Sequence, residues 1–221
     1  KIKKKFFIVK KLKLDFITKI KKKKYDLLIV AGWPLIFPQK LIKAAKYGTI
    51  NLHAGKVPNY RGGSPLNWQI IEGKKNIYIS IIKMTKKIDE GPVYITKKIF
   101  LNTNENIKNL HHKVNKIYPY MVENTIQKII KKIKPKKQNN KFKRYLKQRS
   151  DKDGEIKWSQ MTNYQVFNLV RATTNPYPGA FYKFRGNKIR LFNCKISKLK
   201  KTIEPGKILF KSNQKLVGCK K

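Results

Sequence analysis

Two apolar segments joined by a short helical pattern constrain the fold of this chain more than any other feature of its sequence. The apolar run in DLLIVAGW (26–33) is typical of a strand buried on both faces. PQKLIKAAKYG (38–48) predicts a helix, because proline lies near its start and glycine at its end, and TINLH (49–53) predicts a second buried strand. A strand, a helix and a strand in this order indicate an α/β fold with a parallel sheet.

The same rhythm continues along the chain. PLNWQIIEG (65–73) predicts a short helix, IYISIIKM (77–84) a third strand, and EGPVYITKKIFL (90–101) a further strand or hairpin arm. Apolar residues then recur near helical spacing through 106–133, which predicts a long amphipathic helix. We therefore expect a Rossmann-like, mostly parallel sheet flanked by helices in the first part of the chain.

The composition changes at 134–154, where the chain is polar, charged and poor in apolar residues. Such a segment is typical of a linker. Beyond it, 162–174 predicts a helix, and the short strands and turns that follow are typical of a small β-barrel of the open, oligonucleotide-binding (OB) type. We predict a partial first domain at 1–137, a linker at 138–150 and an OB-like C-terminal domain at 151–221.

The net charge of the chain is +43, from 54 basic and 11 acidic residues. A charge of this size ordinarily points to a nucleic acid or an anionic surface as the partner. Only six of the basic residues are arginines, however, and the lysines are spread over nearly every segment. This favours a background bias in composition over a dedicated nucleic-acid surface, where clustered arginines and interleaved aromatic residues are more usual. A nucleic-acid-binding protein without catalytic activity stays the weaker alternative.

Membrane segments and metal-ligand spacings are both missing from the sequence. No apolar stretch is long enough to span a bilayer, and the lysine-rich start lacks the apolar core of a signal peptide. The two cysteines, Cys194 and Cys219, are far apart and have no histidine nearby, which does not suit a zinc site. We expect free thiols, a cytoplasmic location, no membrane insertion and no metal.

Polar residues of catalytic type follow two of the predicted strands. Asn51 and His53 lie on one face of the second strand, since alternate residues of a strand point the same way. Asp89 follows the third strand in a loop closed by Gly91 and Pro92. Ligands of open α/β sheets bind outside the carboxyl ends of the strands. We therefore expect the Asn, His and Asp side chains to meet at that edge of the sheet.

Asparagine, histidine and aspartate without a neighbouring serine or cysteine nucleophile suit an acyl transfer in which the substrate itself attacks. The amide and the imidazole can donate to a developing oxyanion, and the carboxylate can accept a proton. Structural roles stay open as alternatives, because a histidine at a strand end is commonly structural and Asp-Glu-Gly is a common turn.

Several motifs resemble those of one enzyme family. The stretch from Asn51 to Pro65 resembles the signature N-x-H-x-S-L-L-P-x-Y-R-G-x-x-P of N10-formyltetrahydrofolate-dependent formyltransferases, and MTKKIDEGPV (84–93) is similar to the M-x-x-x-x-D-x-G segment of that family. DKDGEIKWS (151–159) and NLVRATTNPYPGAFYKF (168–184) resemble motifs of its C-terminal domain. The motifs occur in the order of the family and cover nearly the whole chain, so the resemblance implies the formyltransferase fold and activity.

Carried over by position, the resemblance makes Asn51, His53 and Asp89 the catalytic residues. It implies N10-formyltetrahydrofolate as the formyl donor and co-substrate, and it implies no metal, because protein groups stabilise the developing charge. The residues that it places around the folate are Leu35, Ile36 and Phe37 after the first strand, and Thr85, Lys86, Lys87 and Ile88 on the opposite wall. The sequence departs from the family pattern at 55–57, where Gly-Lys-Val replaces Ser-Leu-Leu, so a hydroxyl contact near the histidine is in doubt.

The acceptor of the formyl group is left open between two classes of amine. SPLNWQIIEG (64–73) and NLVRATTNPYPGAF (168–181) look closest to sugar-nucleotide formyltransferases, notably those that modify UDP-4-amino-4-deoxy-L-arabinose. Methionyl-tRNA formyltransferases are the alternative, and the basic charge mildly favours tRNA as a partner. Family members carry a further strand-helix-strand portion before the segment at 26–33, so we expect the chain to be a fragment, incomplete at both ends.

Overall fold

The computed structural model describes residues 12–197, 203–211 and 214–220. Residues 1–11 lie outside this part of the chain. The expectation that the start of the sequence is not a signal peptide concerns these residues. In chain order the helices and strands are α1 (Leu14–Lys22), β1 (Leu28–Ala31), α2 (Gln39–Ile42), β2 (Thr49–His53), β3 (Arg61–Gly62), α3 (Pro65–Ile71), β4 (Asn76–Lys83), β5 (Val93–Phe100), α4 (Ile107–Ile130), β6 (Tyr145–Leu146), α5 (Asn163–Thr173), β7 (Ala180–Phe184), β8 (Asn187–Leu191), β9 (Ile208–Lys211) and β10 (Gln214–Val217).

The first domain is built on a four-stranded sheet with the order β1-β2-β4-β5. β1 and β2 are parallel, with Val30 opposite Asn51, which confirms the predicted pairing of the two apolar strands. β4 runs antiparallel to both β2 and β5, so among the described residues the sheet is mixed rather than mostly parallel. The physical reason is the β4–β5 connection, which carries no helix, whereas a parallel neighbour requires a long crossover.

β1 is less buried than its apolar sequence predicts. Val30 is buried, but Ile29 on the other face is 46% exposed and Ala31 is also exposed. Within the described residues, one face of this strand is therefore uncovered, and the expected burial on both faces is not found.

The main core lies between β4 and the long helix α4. Three isoleucines of β4, Ile77, Ile79 and Ile81, are fully buried there. α4 begins at Asn106, whose side chain accepts from the backbone N–H groups of Lys108 and Asn109. The buried stripe of α4 comprises Ile107, Leu110, Val114, Met121, Thr125 and Ile129. The predicted amphipathic helix is confirmed, and each large apolar side chain buried in this way stabilises the fold by about 1.5–3 kcal/mol.

Two helices differ from the sequence prediction. α1 was not predicted, because its lysines mask an amphipathic pattern whose buried residue is Ile17. α2 ends after Ile42, well before the predicted end at 48. The backbone N–H groups of Lys46 and Tyr47 bond to the carbonyls of Tyr25 and Asp26 instead of continuing the helix. These bonds tie the segment after α2 to the chain that enters β1.

The segment predicted as a linker lies against the first domain. Its strand β6 pairs in parallel with β3, which places Tyr145 opposite Arg61 and Leu146 opposite Gly62. Just before it, Lys136 forms an antiparallel bridge with Val93 at the start of β5. The polar composition of the segment therefore reflects polar contacts with the domain that precedes it.

The C-terminal part of the chain is rich in short strands, as predicted. α5 packs on α3, and the amide of Asn67 donates to the carbonyl of Ala172 at 2.8 Å. β7 and β8 form an antiparallel hairpin, and β9 and β10 pair antiparallel to each other. In the described part of the chain these strands do not close into a barrel.

The described helices and cysteines can be compared with the expectations for membrane segments and thiols. None of the helices in the described ranges is both long and apolar enough to cross a membrane. Cys194 and Cys219 are both free, as expected, and burial raises the pKa of the Cys194 thiol to about 11.

Asp151, the first residue of the predicted C-terminal domain, is paired with two cations of β8. Its carboxylate accepts from both terminal nitrogens of Arg190, at 2.8 and 3.0 Å, and from the Lys188 ammonium at 2.8 Å. Arg190, and after it Lys188, hold the pKa of this carboxyl well below its usual range. The side chain of Asp151 is 38% exposed, so solvent screening limits the stabilisation to a small value.

We expect Asp151→Asn to lower the melting temperature at pH 7 by no more than about 3 °C. Because the pKa of Asp151 is lower in the folded chain, the stabilisation is present above the unfolded pKa of about 3.9 and is lost as the pH falls through the lowered value. The melting temperatures of the unaltered protein and of Asp151→Asn, measured from pH 7 downward, should therefore converge in acid. Glu123→Gln, a change at an exposed position of α4, is the control. A difference in melting temperature that stayed constant down to the lowest pH would contradict a stabilising role for the Asp151 charge.

Candidate active site

Asn51, His53 and Asp89 lie together, as the sequence predicts. The Asn51 Nδ2 atom is 3.4 Å from Asp89 Oδ1, and the His53 Nδ1 atom is 3.5 Å from Asp89 Oδ2. The backbone N–H of Gly62 also donates to Asp89 Oδ2, at 2.9 Å. The carboxylate is thus oriented from three sides, and its side chain is 12% exposed.

The route by which Asp89 reaches this position differs from the prediction. Because β4 is antiparallel to β2, the end of β4 lies beside the start of β2, where Met84 N–H donates to the carbonyl of Thr49 at 2.8 Å. Asp89 is therefore not carried by the carboxyl end of a parallel strand. The loop formed by residues 84–92, called the Asp89 loop below, turns back and brings the carboxylate to Asn51 and His53.

Asp89 itself has a left-handed backbone conformation, with φ of 50°. Aspartate and asparagine tolerate this region better than most residues that carry a Cβ. Backbone conformations of this kind persist where surrounding contacts hold them, and they concentrate at functional sites.

His53 is held between two acceptors and is only 5% exposed. Its Nδ1 atom faces Asp89, and its Nε2 atom is 2.5 Å from the carbonyl oxygen of Tyr60. A neutral imidazole can donate to one of these oxygens, whereas the imidazolium donates to both. The ring is therefore oriented from both sides.

At position 55 the sequence departs from the family pattern, and local steric contacts explain why glycine is present there. A Cβ atom at this position would lie 2.6 Å from the Tyr60 carbonyl oxygen and 2.9 Å from His53 Nε2. The absence of a side chain thus allows the Tyr60 carbonyl to approach the imidazole.

The three side chains open into a cavity of about 610 Å³. The residues predicted to surround the folate line two parts of its wall: Leu35, Ile36 and Phe37 after β1, and Thr85, Lys86, Lys87 and Ile88 in the Asp89 loop. Several of these apolar side chains, including Ile36 and Ile88, are exposed. The cavity therefore combines apolar lining residues with a few converging polar groups, which is typical of a small-molecule site.

Comparison with known proteins assigns the chain to a family. Residues 3–126 match the family described as formyl transferase, and residues 149–221 match the formyl transferase C-terminal domain. The chain belongs to the formyl transferase family. This confirms the resemblance carried by the motifs in both parts of the sequence.

Two proteins that are similar to this formyl transferase family member have different names. It is 35% identical over 209 residues to the bifunctional polymyxin resistance protein ArnA of Wigglesworthia glossinidia brevipalpis, covering 94% of this chain and 31% of that protein. It is 31% identical over 205 residues to the methionyl-tRNA formyltransferase of Thermodesulfovibrio yellowstonii, covering 92% of this chain and 65% of that protein. The chain therefore spans less than two thirds of the length of either relative.

A solved structure shows the same fold over most of its length. A 4-N formyltransferase from Francisella tularensis superposes with a TM-score of 0.68 at 25% identity, covering 83% of this chain and 77% of that chain. The α/β sheet followed by a small strand-rich region is thus the formyltransferase fold.

Among the residues that line the cavity of this formyl transferase family member and that sequence reasoning did not assign to the site are Trp33, Gln148 and Tyr177. Trp33 follows β1 directly and contacts Phe37 edge-on, with ring centroids 6.4 Å apart, so its position after the strand could have indicated it. Its buried indole N–H has no hydrogen-bond partner among the described residues. Gln148 and Tyr177 come from distant parts of the sequence, and no local pattern connects them with the site.

Proposed function

We propose that the full-length protein transfers a formyl group from N10-formyltetrahydrofolate to a primary amine. The observation that carries this proposal is the convergence of Asn51, His53 and Asp89 on one cavity. Asn51 and His53 would stabilise the oxyanion, and Asp89 would accept the proton of the attacking amine.

The amine nitrogen forms a bond to the formyl carbon, and negative charge develops on the formyl oxygen. The Asn51 amide has two N–H groups, so one can donate to this oxygen while the other faces Asp89. His53 would be the second donor to the same oxygen, which requires one ring N–H to turn to it from the acceptor that it faces here, Asp89 or the Tyr60 carbonyl. When the tetrahedral intermediate collapses, the bond between the formyl carbon and N10 breaks. The nitrogen of the amine loses one proton to Asp89, directly or through a water molecule; the protonated Asp89 then supplies one proton to the departing N10 by the same route, which restores its carboxylate.

The donor would lie between the two walls of the cavity that carry the predicted folate-binding residues. Leu35, Ile36 and Phe37 form one wall, and the exposed segment 85–88 of the Asp89 loop forms the other. In this arrangement backbone groups hold the pterin, and exposed apolar side chains such as Ile36 and Ile88 cover its faces. The formyl group would then point toward the three catalytic side chains.

We further propose that the amine belongs to a nucleotide-linked amino sugar of the UDP-4-amino-4-deoxy-L-arabinose type. The motifs around Trp68 and Tyr177 and the 35% identity to ArnA support this acceptor. The second candidate is methionine bound to initiator tRNA, which the 31% identity to a methionyl-tRNA formyltransferase and the net charge of +43 favour. A binding protein without catalytic activity is disfavoured, because Asn51, His53 and Asp89 are all retained.

The acceptor can be identified by comparing these classes of amine in separate reactions. The full-length protein is supplied with N10-formyltetrahydrofolate and, in separate reactions, a UDP-linked 4-amino sugar, a dTDP-linked amino sugar and methionyl initiator tRNA. Release of tetrahydrofolate and the mass of the product are measured. We expect formylation of the UDP-linked sugar. Formylation of the tRNA alone would replace the sugar assignment by the second candidate, and no transfer to any amine would refute the proposed activity.

A further inference from the structure

Gln138, in the segment predicted as a linker, connects a buried arginine to the Asp89 loop. Its side-chain oxygen accepts from Arg61 Nε at 3.0 Å and from Arg61 Nη2 at 2.7 Å. Its side-chain nitrogen donates to the carbonyl oxygens of Asp89 at 2.8 Å and Gly91 at 2.6 Å. Both ends of one amide are therefore in use, and two of its contacts are with the backbone on either side of Glu90.

Arg61 fixes the direction in which this amide points. The arginine side chain has no solvent exposure; its Nη2 atom also donates to Asn140 at 2.6 Å, and its Nη1 atom donates to the Tyr145 hydroxyl at 3.1 Å. A guanidinium only donates, so it selects the oxygen of Gln138, and the nitrogen must face the Asp89 loop. A glutamate at this position would satisfy Arg61 but would lose both donors to the loop.

Apart from Gln138, the Asp89 loop is anchored mainly through its own side chains: Asp89 contacts Asn51 and His53, and Glu90 contacts Arg61 at 3.6 Å and the Tyr145 hydroxyl. Residues 85–88 are all exposed, so little apolar packing fixes them. Asp89 adopts φ of 50°, which requires support from its surroundings. At the end of the loop the backbone is closely packed, since a Cβ at Gly91 would lie 1.6 Å from the carbonyl oxygen of Lys83. The side-chain nitrogen of Gln138 donates to the carbonyl oxygens of Asp89 and Gly91, and so holds the backbone of this part of the loop.

We propose that Gln138 is a positioning residue for the catalytic carboxylate, acting through the backbone of Asp89 and Gly91. This inference rests on the proposed function for its catalytic consequence, but the positioning itself can be measured without any activity. The reporter is the backbone N–H of Gly62, which donates to Asp89 Oδ2 at 2.9 Å and therefore senses where the carboxylate is.

The test compares three variants of the full-length protein. Gln138→Ala removes all contacts of the amide, and Gln138→Glu keeps the acceptor for Arg61 but not the donors to the loop. Asn140→Ala is the matched control, because it removes one acceptor of Arg61 without touching the Asp89 loop. The measurements are kcat with the acceptor identified above, the Kd of the stable analogue 5-formyltetrahydrofolate, and hydrogen exchange of the Gly62 amide by NMR.

We expect both Gln138 variants to lower kcat on the order of 10- to 100-fold, because a misplacement of about 1 Å is enough for such a loss. The Kd of the analogue should change by less than about threefold, because the interactions that bind the ground state and the transition state equally are retained. Exchange of the Gly62 amide should rise by roughly tenfold in both variants, which corresponds to the loss of an ordinary hydrogen bond. Asn140→Ala should leave all three quantities near the values of the unaltered protein.

Two outcomes would overturn the positioning role. One is unaltered Gly62 exchange in Gln138→Glu, and the other is an equal change of kcat and exchange in Asn140→Ala, which would indicate general structural support. If the unaltered protein transfers no formyl group, the proposed function fails, while the Gly62 measurement still decides whether Gln138 holds the Asp89 loop.

Discussion

Replacing His53 by alanine is expected to lower kcat for formyl transfer by at least about a hundredfold, the usual cost of losing one oxyanion donor or one proton-transfer group. The imidazole is buried and lies 3.5 Å from the carboxylate of Asp89, so water cannot readily take its place with the same orientation. The measurement is single-turnover formyl transfer with saturating donor and acceptor, which separates the chemical step from product release.

A second histidine of the same chain provides the control for this loss. His112 lies on the exposed side of α4, and His112→Ala should retain full activity. Binding of 5-formyltetrahydrofolate to the His53→Ala variant should persist, because the predicted folate walls belong to other segments of the chain. Full activity of His53→Ala would contradict the proposed mechanism. Loss of folate binding together with activity would indicate a structural role for the histidine.

Apolar patterns in the sequence predicted the elements that carry the core. The buried isoleucines of β4 and the stripe of α4 follow strand and helix periods, and burial is what such periods report. The alternation of a strand also placed Asn51 and His53 on one face without further information. These features depend on residues that are close together in the sequence.

The direction of β4 could not be read from the same pattern. A buried strand shows an apolar run whether its neighbour is parallel or antiparallel, and a helix between two strands, as α3 lies between β2 and β4, favours a parallel pair by pattern alone. The prediction that Asp89 joins the site was correct in its result, but the carboxylate arrives through the return of a loop. Sequence order alone does not specify that path.

The packing of segment 138–150 against the first domain could not be predicted, for a different reason. Its contacts are polar, as those of Gln138 with Arg61 and Asp89 show, and polar residues are counted as solvated when only apolar periodicity is considered. α1 was missed on the same ground, because lysines surround its one buried residue, Ile17. In a chain with such an excess of lysine, composition conceals which polar positions make specific contacts.

Replacing Asp89 by asparagine is expected to reduce kcat by on the order of 10²- to 10⁴-fold while the fold is retained, because the change removes the proton acceptor and one long contact, the acceptor oxygen that the Asn51 amide faces at 3.4 Å. Asparagine tolerates the left-handed conformation at φ of 50°, and its oxygen can still accept from the N–H of Gly62. The negative charge that faces His53 is lost.

The same chemical change at Asp151, far from Asn51 and His53 in the sequence and paired with Arg190, is the matched control and should leave kcat unaltered. Rates at saturating substrates and thermal unfolding should be measured for both variants. A kcat of Asp89→Asn close to that of the unaltered protein would exclude the carboxylate as the base. A large fall in melting temperature would instead show that the charge holds the Asp89 loop in place. Since Gln138 already fixes the backbone of that loop through two hydrogen bonds, the expected result is a catalytic loss without a comparable loss of stability.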